Sequence, residues 1–209
     1  MHPAPRLSAE GLAKRFGRRL LFRGLDFELE PGDSLAVTGA NGAGKSTLLQ
    51  IVAGVQSPTA GAVRLWLDGA EVEREARPLR TGFVAPYLQV YDAFTAVENL
   101  DFIARARRLP DADARIAAVL DRVGLGQRGD DLVRTYSSGM KQRIRLAAAL
   151  LTAPPLLLLD EPTSNLDAPG RAVVESTARA HCDAGGILLI ATNVDHEAAL
   201  CEQRVEVGG

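Results

Sequence analysis

The sequence is short of several things that would give it other roles. Among 209 residues there are two cysteines, Cys182 and Cys201, in segments that read as helical. Neither belongs to a CxxC pair or a metal-ligand pattern, which argues against a disulfide-stapled scaffold and points to reduced packing thiols. Charge of one sign is also lacking. The formal net charge is −2, so there is no global basic field to attract nucleic acid or an anionic membrane surface. The densest cationic run, Arg105-Ala106-Arg107-Arg108, reads as a solvated helix end. Long apolar runs are missing as well. Leu146 to Leu159 is too short to cross a bilayer and is broken by Pro154-Pro155, so no direct membrane insertion is expected. Met1 to Arg6 lack the apolar stretch of a secretory leader. There is no internal repeat and no low-complexity linker.

What is present fits one folded domain, with 46% hydrophobic and 24% charged residues. Leu25, Phe27 and Leu29 interleave with Asp26, Glu28 and Glu30, the period-2 pattern of a half-buried antiparallel strand. Pro31-Gly32-Asp33 signals a turn, and Ser34 to Thr38 form a short buried strand that runs into a glycine-rich loop. Lys45 to Val52 continue as a helix. Strands follow at Val63–Leu67 and Phe83–Ala85, separated by a polar stretch.

From about Thr95 the period becomes helical. Thr95 and Glu98 have capping-box spacing. A second helix aligns Ile116, Val119, Leu120 and Val123 and stops at Gly124. A third runs from Ser138 to about Leu151. The fully apolar Leu156 to Leu159 suits a parallel strand covered on both faces. Then come a helix from Pro169 to Cys182, a strand from Ile187 to Ala191, a short helix near Glu197 to Cys201, and a last strand at Arg204–Val207. The expected fold is α/β, a nucleotide-binding core (1–85 and 151–209) interrupted by a helical insertion (86–150).

Three motifs carry chemistry. In Gly39-Ala40-Asn41-Gly42-Ala43-Gly44-Lys45-Ser46, the glycines let successive backbone amides turn toward phosphate oxygens, and the following helix adds its positive end. Lys45 reaches the β- and γ-phosphates, and the Ser46 hydroxyl ligates Mg²⁺. Asp160-Glu161 ends the Leu156 strand; Asp160 faces the metal, and Glu161 orients and deprotonates the attacking water. Tyr136-Ser137-Ser138-Gly139-Met140-Lys141-Gln142-Arg143 opens a helix, where two hydroxyls and exposed amides form an anion site.

The order of P-loop, helical insertion, serine-rich helix start, Asp-Glu and then Ser164-Asn165-Leu166-Asp167 resembles the nucleotide-binding cassette of ABC ATPases over essentially the whole chain. The resemblance implies a P-loop NTPase core with an N-terminal antiparallel β subdomain and the inserted helical subdomain, binding ATP and Mg²⁺. It places Gly39, Asn41, Gly42, Ala43, Gly44, Lys45, Ser46 and Thr47 on the nucleotide, and Phe16 against adenine. It also implies a head-to-tail homodimer, or a heterodimer with a similar cassette, in which Ser137, Ser138 and Gly139 contact the γ-phosphate held by the other subunit. Ser164 to Asp167 would communicate between the two sites.

Three positions depart from that family. Tyr136 to Met140 stand where Leu-Ser-Gly-Gly-Gln is usual. Pro86 occupies the usual position of a glutamine, which leaves Gln89, three residues on, as the candidate metal ligand. Asn193 replaces the histidine after the final core strand; it can hydrogen-bond a phosphate but cannot become cationic, which implies slower hydrolysis. Compact haem-exporter and drug-exporter ATPases look most similar. That implies a cytoplasmic subunit, peripheral on the membrane, powering a separate transmembrane permease, with no nucleic-acid partner. The alternatives are a soluble cassette of iron–sulfur assembly type and a slow ATP-gated dimerisation switch.

Overall fold

The computed structural model of the chain describes residues 4–208; Met1 to Pro3, where the leader reading begins, lie outside them. The first half contains β1 (Pro5–Phe16), β2 (Arg19–Leu29), β3 (Ser34–Thr38), α1 (Lys45–Val52), β4 (Ala60–Leu67), β5 (Ala70–Val72) and β6 (Thr81–Val84). The second contains α2 (Ala96–Ala106), α3 (Ala112–Arg122), α4 (Ser138–Leu150), β7 (Leu156–Asp160), α5 (Ala168–Asp183), β8 (Ile187–Ala191), α6 (Asp195–Ala198) and β9 (Gln203–Glu206).

The strands form two sheets. An antiparallel one has the order β2-β1-β4-β5, and a parallel one the order β6-β7-β8-β3-β9. The period of two along a strand distributes the central strands of the parallel sheet between two layers. Leu156 and Leu158 of β7 and Ile187 and Leu189 of β8 pack with Leu48, Leu49 and Val52 of α1 and with Leu7, Leu29 and Leu65 of the antiparallel sheet. Leu157, Leu159, Leu188 and Ile190 face the other way, toward Ile144 and Ala147 of α4 and Val174 and Ala178 of α5. That double coverage is why β7 reads as an unbroken apolar run.

The helical insertion is tied together by local chemistry. Thr95 accepts from the Glu98 amide at 3.0 Å while Glu98 accepts from the Thr95 amide at 2.8 Å, closing the expected capping box. Leu100, Ile116, Leu120, Val123 and Ile144 bury the inner faces of α2, α3 and α4 in a single core with the parallel sheet.

Several boundaries differ from the sequence reading. β1 was hidden in the sequence because its register is interrupted between Ala9 and Leu12 and again around Lys14, which destroys simple alternation. Phe16 therefore ends β1 and pairs with Arg19 across a tight hairpin. The polar stretch after Leu67 holds β5 and a 3₁₀ turn at Arg74–Leu79. The last helix is Asp195–Ala198, so Cys201 lies beyond it. The cationic run is a solvated helix end, as expected: Arg105 and Arg108 are exposed, Arg105 also pairing with Asp101 at 2.7 Å, while the half-buried Arg107 donates to the Pro78 carbonyl at 3.2 Å.

Candidate nucleotide-binding site

β3, β7 and β8 end on the same edge of the parallel sheet, where parallel α/β folds place their ligands. The ladders bring these ends into register. Asp160 pairs with Ala191, the Glu161 amide donates to the Ala191 carbonyl at 2.9 Å, and the Thr192 amide donates to the Val37 carbonyl at 3.0 Å. Residues more than a hundred apart in sequence thus meet at one rim.

The glycine-rich loop leaves β3 at Thr38. At Gly39, φ is +142°, and a Cβ would sit 2.2 Å from the Val207 carbonyl oxygen, so no side chain fits there. Gly44, with φ +110° and no side chain to cap the helix, opens α1. The first helical bond of α1 runs from the Leu48 amide to the Gly44 carbonyl at 2.9 Å. The amides of Lys45, Ser46 and Thr47 therefore lie in the first turn, which has no intrahelical acceptors. Lys45 is 5% exposed and folds back on the loop, donating to the carbonyls of Gly39 at 2.9 Å and Ala40 at 3.2 Å. A phosphate group would offer this ammonium a charged partner in place of two neutral ones.

Beside it, Asp160 is 2% exposed and accepts from the Ser46 hydroxyl. Burial pushes its carboxyl above the usual range. The Ser46 hydrogen bond and Lys45 oppose that shift, while Glu161 reinforces it. A buried carboxylate whose charge is incompletely offset, next to a hydroxyl, is a hard-oxygen donor set suited to Mg²⁺. Glu161 follows in the left-handed region, φ +47°. For a non-glycine residue this is strained, and such strain clusters at functional positions.

A cavity of about 450 Å³ lies over these groups, lined by Phe16, Arg19, Leu21, Asn41, Gly42, Gly44, Lys45, Ser46, Thr47 and Glu161. Phe16 is 50% exposed, with the Lys14 ammonium 4.8 Å from its ring centre. Arg19, not singled out by sequence reading, donates to the Gly42 carbonyl at 2.8 Å, so its cation stands at the mouth between the aromatic ring and the loop. No motif marks it; only the β1–β2 hairpin brings it there.

Glu161 also lines a second cavity of about 290 Å³ with Ser164, Asn165, Arg171, Asn193 and His196. Asn193 donates through Nδ2 to Asn41 Oδ1 at 3.1 Å, joining the end of β8 to the glycine-rich loop. Two expected residue sets lie elsewhere. Ser137 and Ser138 are exposed and are absent from the cavity lining; Ser137 caps α4, accepting from the Met140 amide at 3.2 Å. Gly139 abuts the loop after Glu161, since a Cβ on it would lie 3.5 Å from the Asn165 carbonyl oxygen. The placement of Gln89 corrects the sequence expectation. It lines an apolar groove between β6 and the helical insertion, with Phe83, Leu88, Tyr91 and Phe102, and not the cavity that holds Ser46 and Glu161. The turn after Pro86 directs Tyr87, not Gln89, back to α1, where its hydroxyl accepts from Gln50 Nε2 at 2.8 Å.

Comparison with known proteins agrees with this geometry. A family model described as ABC transporter matches residues 22–164. The cytochrome c biogenesis ATP-binding export protein CcmA of Pseudomonas putida is 39% identical over 187 residues, covering 90% of this chain and 89% of that protein. The daunorubicin resistance ATP-binding protein DrrA3 of Streptomyces coeruleorubidus is 36% identical over 205 residues, covering 96% of this chain and 64% of that protein. A solved structure described as the ATP binding subunit of an ABC transporter superposes with a TM-score of 0.84 at 25% identity, over 97% of this chain and 85% of that one. With its P-loop, buried Asp160 and adjoining Glu161 at one sheet edge, the chain belongs to the ABC transporter family, as one of its ATP-binding cassettes.

Proposed function

We propose that the chain is the ATP-hydrolysing subunit of a membrane exporter, acting as a head-to-tail pair of cassettes that closes over two ATP molecules. The observation that carries this reading is that the cavity is one-sided. Its lining supplies a loop, a cation-binding edge, a base and an aromatic wall, while Ser137 and Ser138 lie exposed at the start of α4, elsewhere on the surface. A second copy, or a similar cassette, would bring that helix start over the first copy's phosphates.

In this reading Phe16 stacks on adenine, the amides of residues 41–47 surround the phosphates, and Lys45 leaves its two carbonyls for the terminal phosphates. Ser46 and Asp160 would hold Mg²⁺, which when bound supplies charge neutralisation to the phosphate oxygens. Glu161 accepts a proton from the attacking water, and Asn193, next to Asn41, donates to the γ-phosphate. As a neutral donor, Asn193 contributes less to a developing charge than an imidazolium would, and this supports slow turnover.

Exporter coupling is supported by the name of the CcmA relative, an ATP-binding export protein, and by the groove of about 470 Å³ beside the helical insertion. Tyr91 and Phe102 stand 56% and 54% exposed there, the kind of apolar patch that marks an interaction surface. A separate permease docking in this groove would place the subunit on the cytoplasmic face. No helix among the described residues is long and apolar enough to cross a membrane. Co-expression with a candidate permease and purification from detergent tests the reading. A stable complex that is lost on Phe102→Asp supports it, and retention of a soluble partner instead would refute it.

A further inference from the structure

The wall of the cavity over the glycine-rich loop carries two cations, Lys45 and Arg19, in different settings. Lys45 is buried, while Arg19 is exposed at the mouth. Arg19 opens β2 directly opposite Phe16, the last residue of β1, so the two side chains share one face of the antiparallel sheet. β2 then rests on the loop itself. A Cβ on Gly42 would lie 3.4 Å from Arg19 Nη2, and one on Gly44 would lie 3.1 Å from the Leu21 Cβ. Phe16, Arg19 and Gly42 thus follow one another along the cavity wall, from the aromatic end toward the loop.

Among the described residues the Arg19 side chain has one partner, the Gly42 carbonyl, to which Nη2 donates at 2.8 Å. No carboxylate there pairs with it, and its remaining N–H donors are unused. Lys14, the other cation near Phe16, is already committed: its ammonium donates to the Ser57 carbonyl at 2.7 Å and lies against the Phe16 ring. A guanidinium held by one neutral carbonyl gains from a phosphate, which offers it charge and two parallel acceptors. The order of groups along the wall selects the phosphate. With adenine on Phe16 and the terminal phosphates at Lys45 and Ser46, the stretch between Phe16 and Gly42 takes the ribose and the first phosphate.

We propose that Arg19 binds the α-phosphate of the nucleotide, exchanging the Gly42 carbonyl for it. The inference rests on the reading of the cavity as an ATP site. It adds a second cation to the phosphate-binding wall, supplied by the β1–β2 hairpin and not by the glycine-rich loop. ATP, ADP and AMP all carry this phosphate, so the contact contributes alike to all three. It holds the nucleotide without favouring the state before or after cleavage.

The test is competition of ATP, ADP, AMP and adenosine against a fluorescent ATP analogue bound to the full chain. Arg19→Met should weaken ATP, ADP and AMP by one common factor of about 10-fold, the scale of a hydrogen bond to a charged group, and leave adenosine unchanged. Arg19→Lys keeps the charge without the planar fork and should recover part of the loss. Added salt should shrink the Arg19→Met penalty, because an exposed ion pair is screened. In turnover, Arg19→Met should raise KM for ATP with kcat within about twofold, the pattern of binding shared by ground and transition states. If Arg19 only braces the loop through Gly42, ATP should lose more than ADP and ADP more than AMP, kcat should fall as well, and the inference is overturned. Equal affinities of parent and Arg19→Met for the three phosphorylated ligands would also overturn it, while the ATP site stands. Failure of the parent to bind the ATP analogue at all would overturn both readings.

Discussion

Glu161 offers the sharpest separation of stability from chemistry. Its backbone sits at φ +47°, held there by its amide on Ala191 and by its carbonyl, which accepts from the Ser164 amide at 3.2 Å. For an L-residue this conformation costs about 1–2 kcal/mol. Glycine would not incur that cost but loses about 0.5–1 kcal/mol of chain entropy on folding. Glu161→Gly should therefore gain roughly 0.5–1 kcal/mol of stability net, which at this chain length raises the melting temperature by about 1–4 °C. Removing the negative charge beside Asp160 adds to this in the same direction. Glu161→Gln keeps the strain and the shape but removes the charge, so its melting temperature should fall between those of parent and glycine variant. Activity should run the other way: with no base for the attacking water, both variants should lose about 10²–10⁴ in kcat. Differential scanning calorimetry of the nucleotide-free protein and a phosphate-release assay measure the two axes. A glycine variant that melts below the parent would refute the strain argument. A glutamine variant within tenfold of parental kcat would refute the assignment of the base.

Other consequences follow from the same site. Burial raises the Asp160 carboxyl, so the folded state holds its proton at a pH where the unfolded chain has released it, and nucleotide-free stability should fall as pH rises through that window. Asp160→Asn should then melt above the parent at neutral pH, with the difference closing below the usual carboxylate pKa of about 3.9; a variant that melts lower at pH 7 would contradict this. Asn193→His exchanges a neutral donor for one that can be charged, so phosphate release should rise up to about tenfold, with the gain growing as pH falls toward the usual imidazole pKa of about 6.5; a flat comparison across pH would count against the role of Asn193. Phe16→Ala should weaken binding of a fluorescent ATP analogue by about 10-fold, the scale of a single aromatic stack, and leave Mg²⁺ dependence alone; unchanged affinity would remove Phe16 from the adenine site.

Much of this site was legible in the sequence, and the legible parts share a physical feature. The Gly39–Ser46 loop and the Leu156–Glu161 strand are contiguous, and their chemistry is local: amides that must converge, and a carboxylate that must leave a buried strand. The Thr95–Glu98 box was legible for the same reason, since it closes within four residues. What sequence reading misplaced depends on contacts between distant segments. Gln89 is near Pro86 in sequence, yet the turn at Ala85–Leu88 sends its side chain to the groove and returns Tyr87 to α1. Arg19 reaches the cavity only because the β1–β2 hairpin lies over the loop. Asn193 touches Asn41 because β8 and β3 are neighbours in the sheet, 152 residues apart in the chain. Buried Glu197 likewise accepts from the Thr163 amide at 2.9 Å and fixes the loop after Glu161, a tie no local pattern announces.

The central claim is that one chain supplies half of each ATP site and another chain the rest. Size-exclusion chromatography with light scattering on Glu161→Gln tests it most directly. With ATP and Mg²⁺ the protein should run as a dimer, and with EDTA, or with Ser138 replaced by Arg on the exposed start of α4, as a monomer. A cassette that binds Mg²⁺–ATP with full affinity and remains monomeric at every concentration, alone and with its partner cassette, would contradict the account.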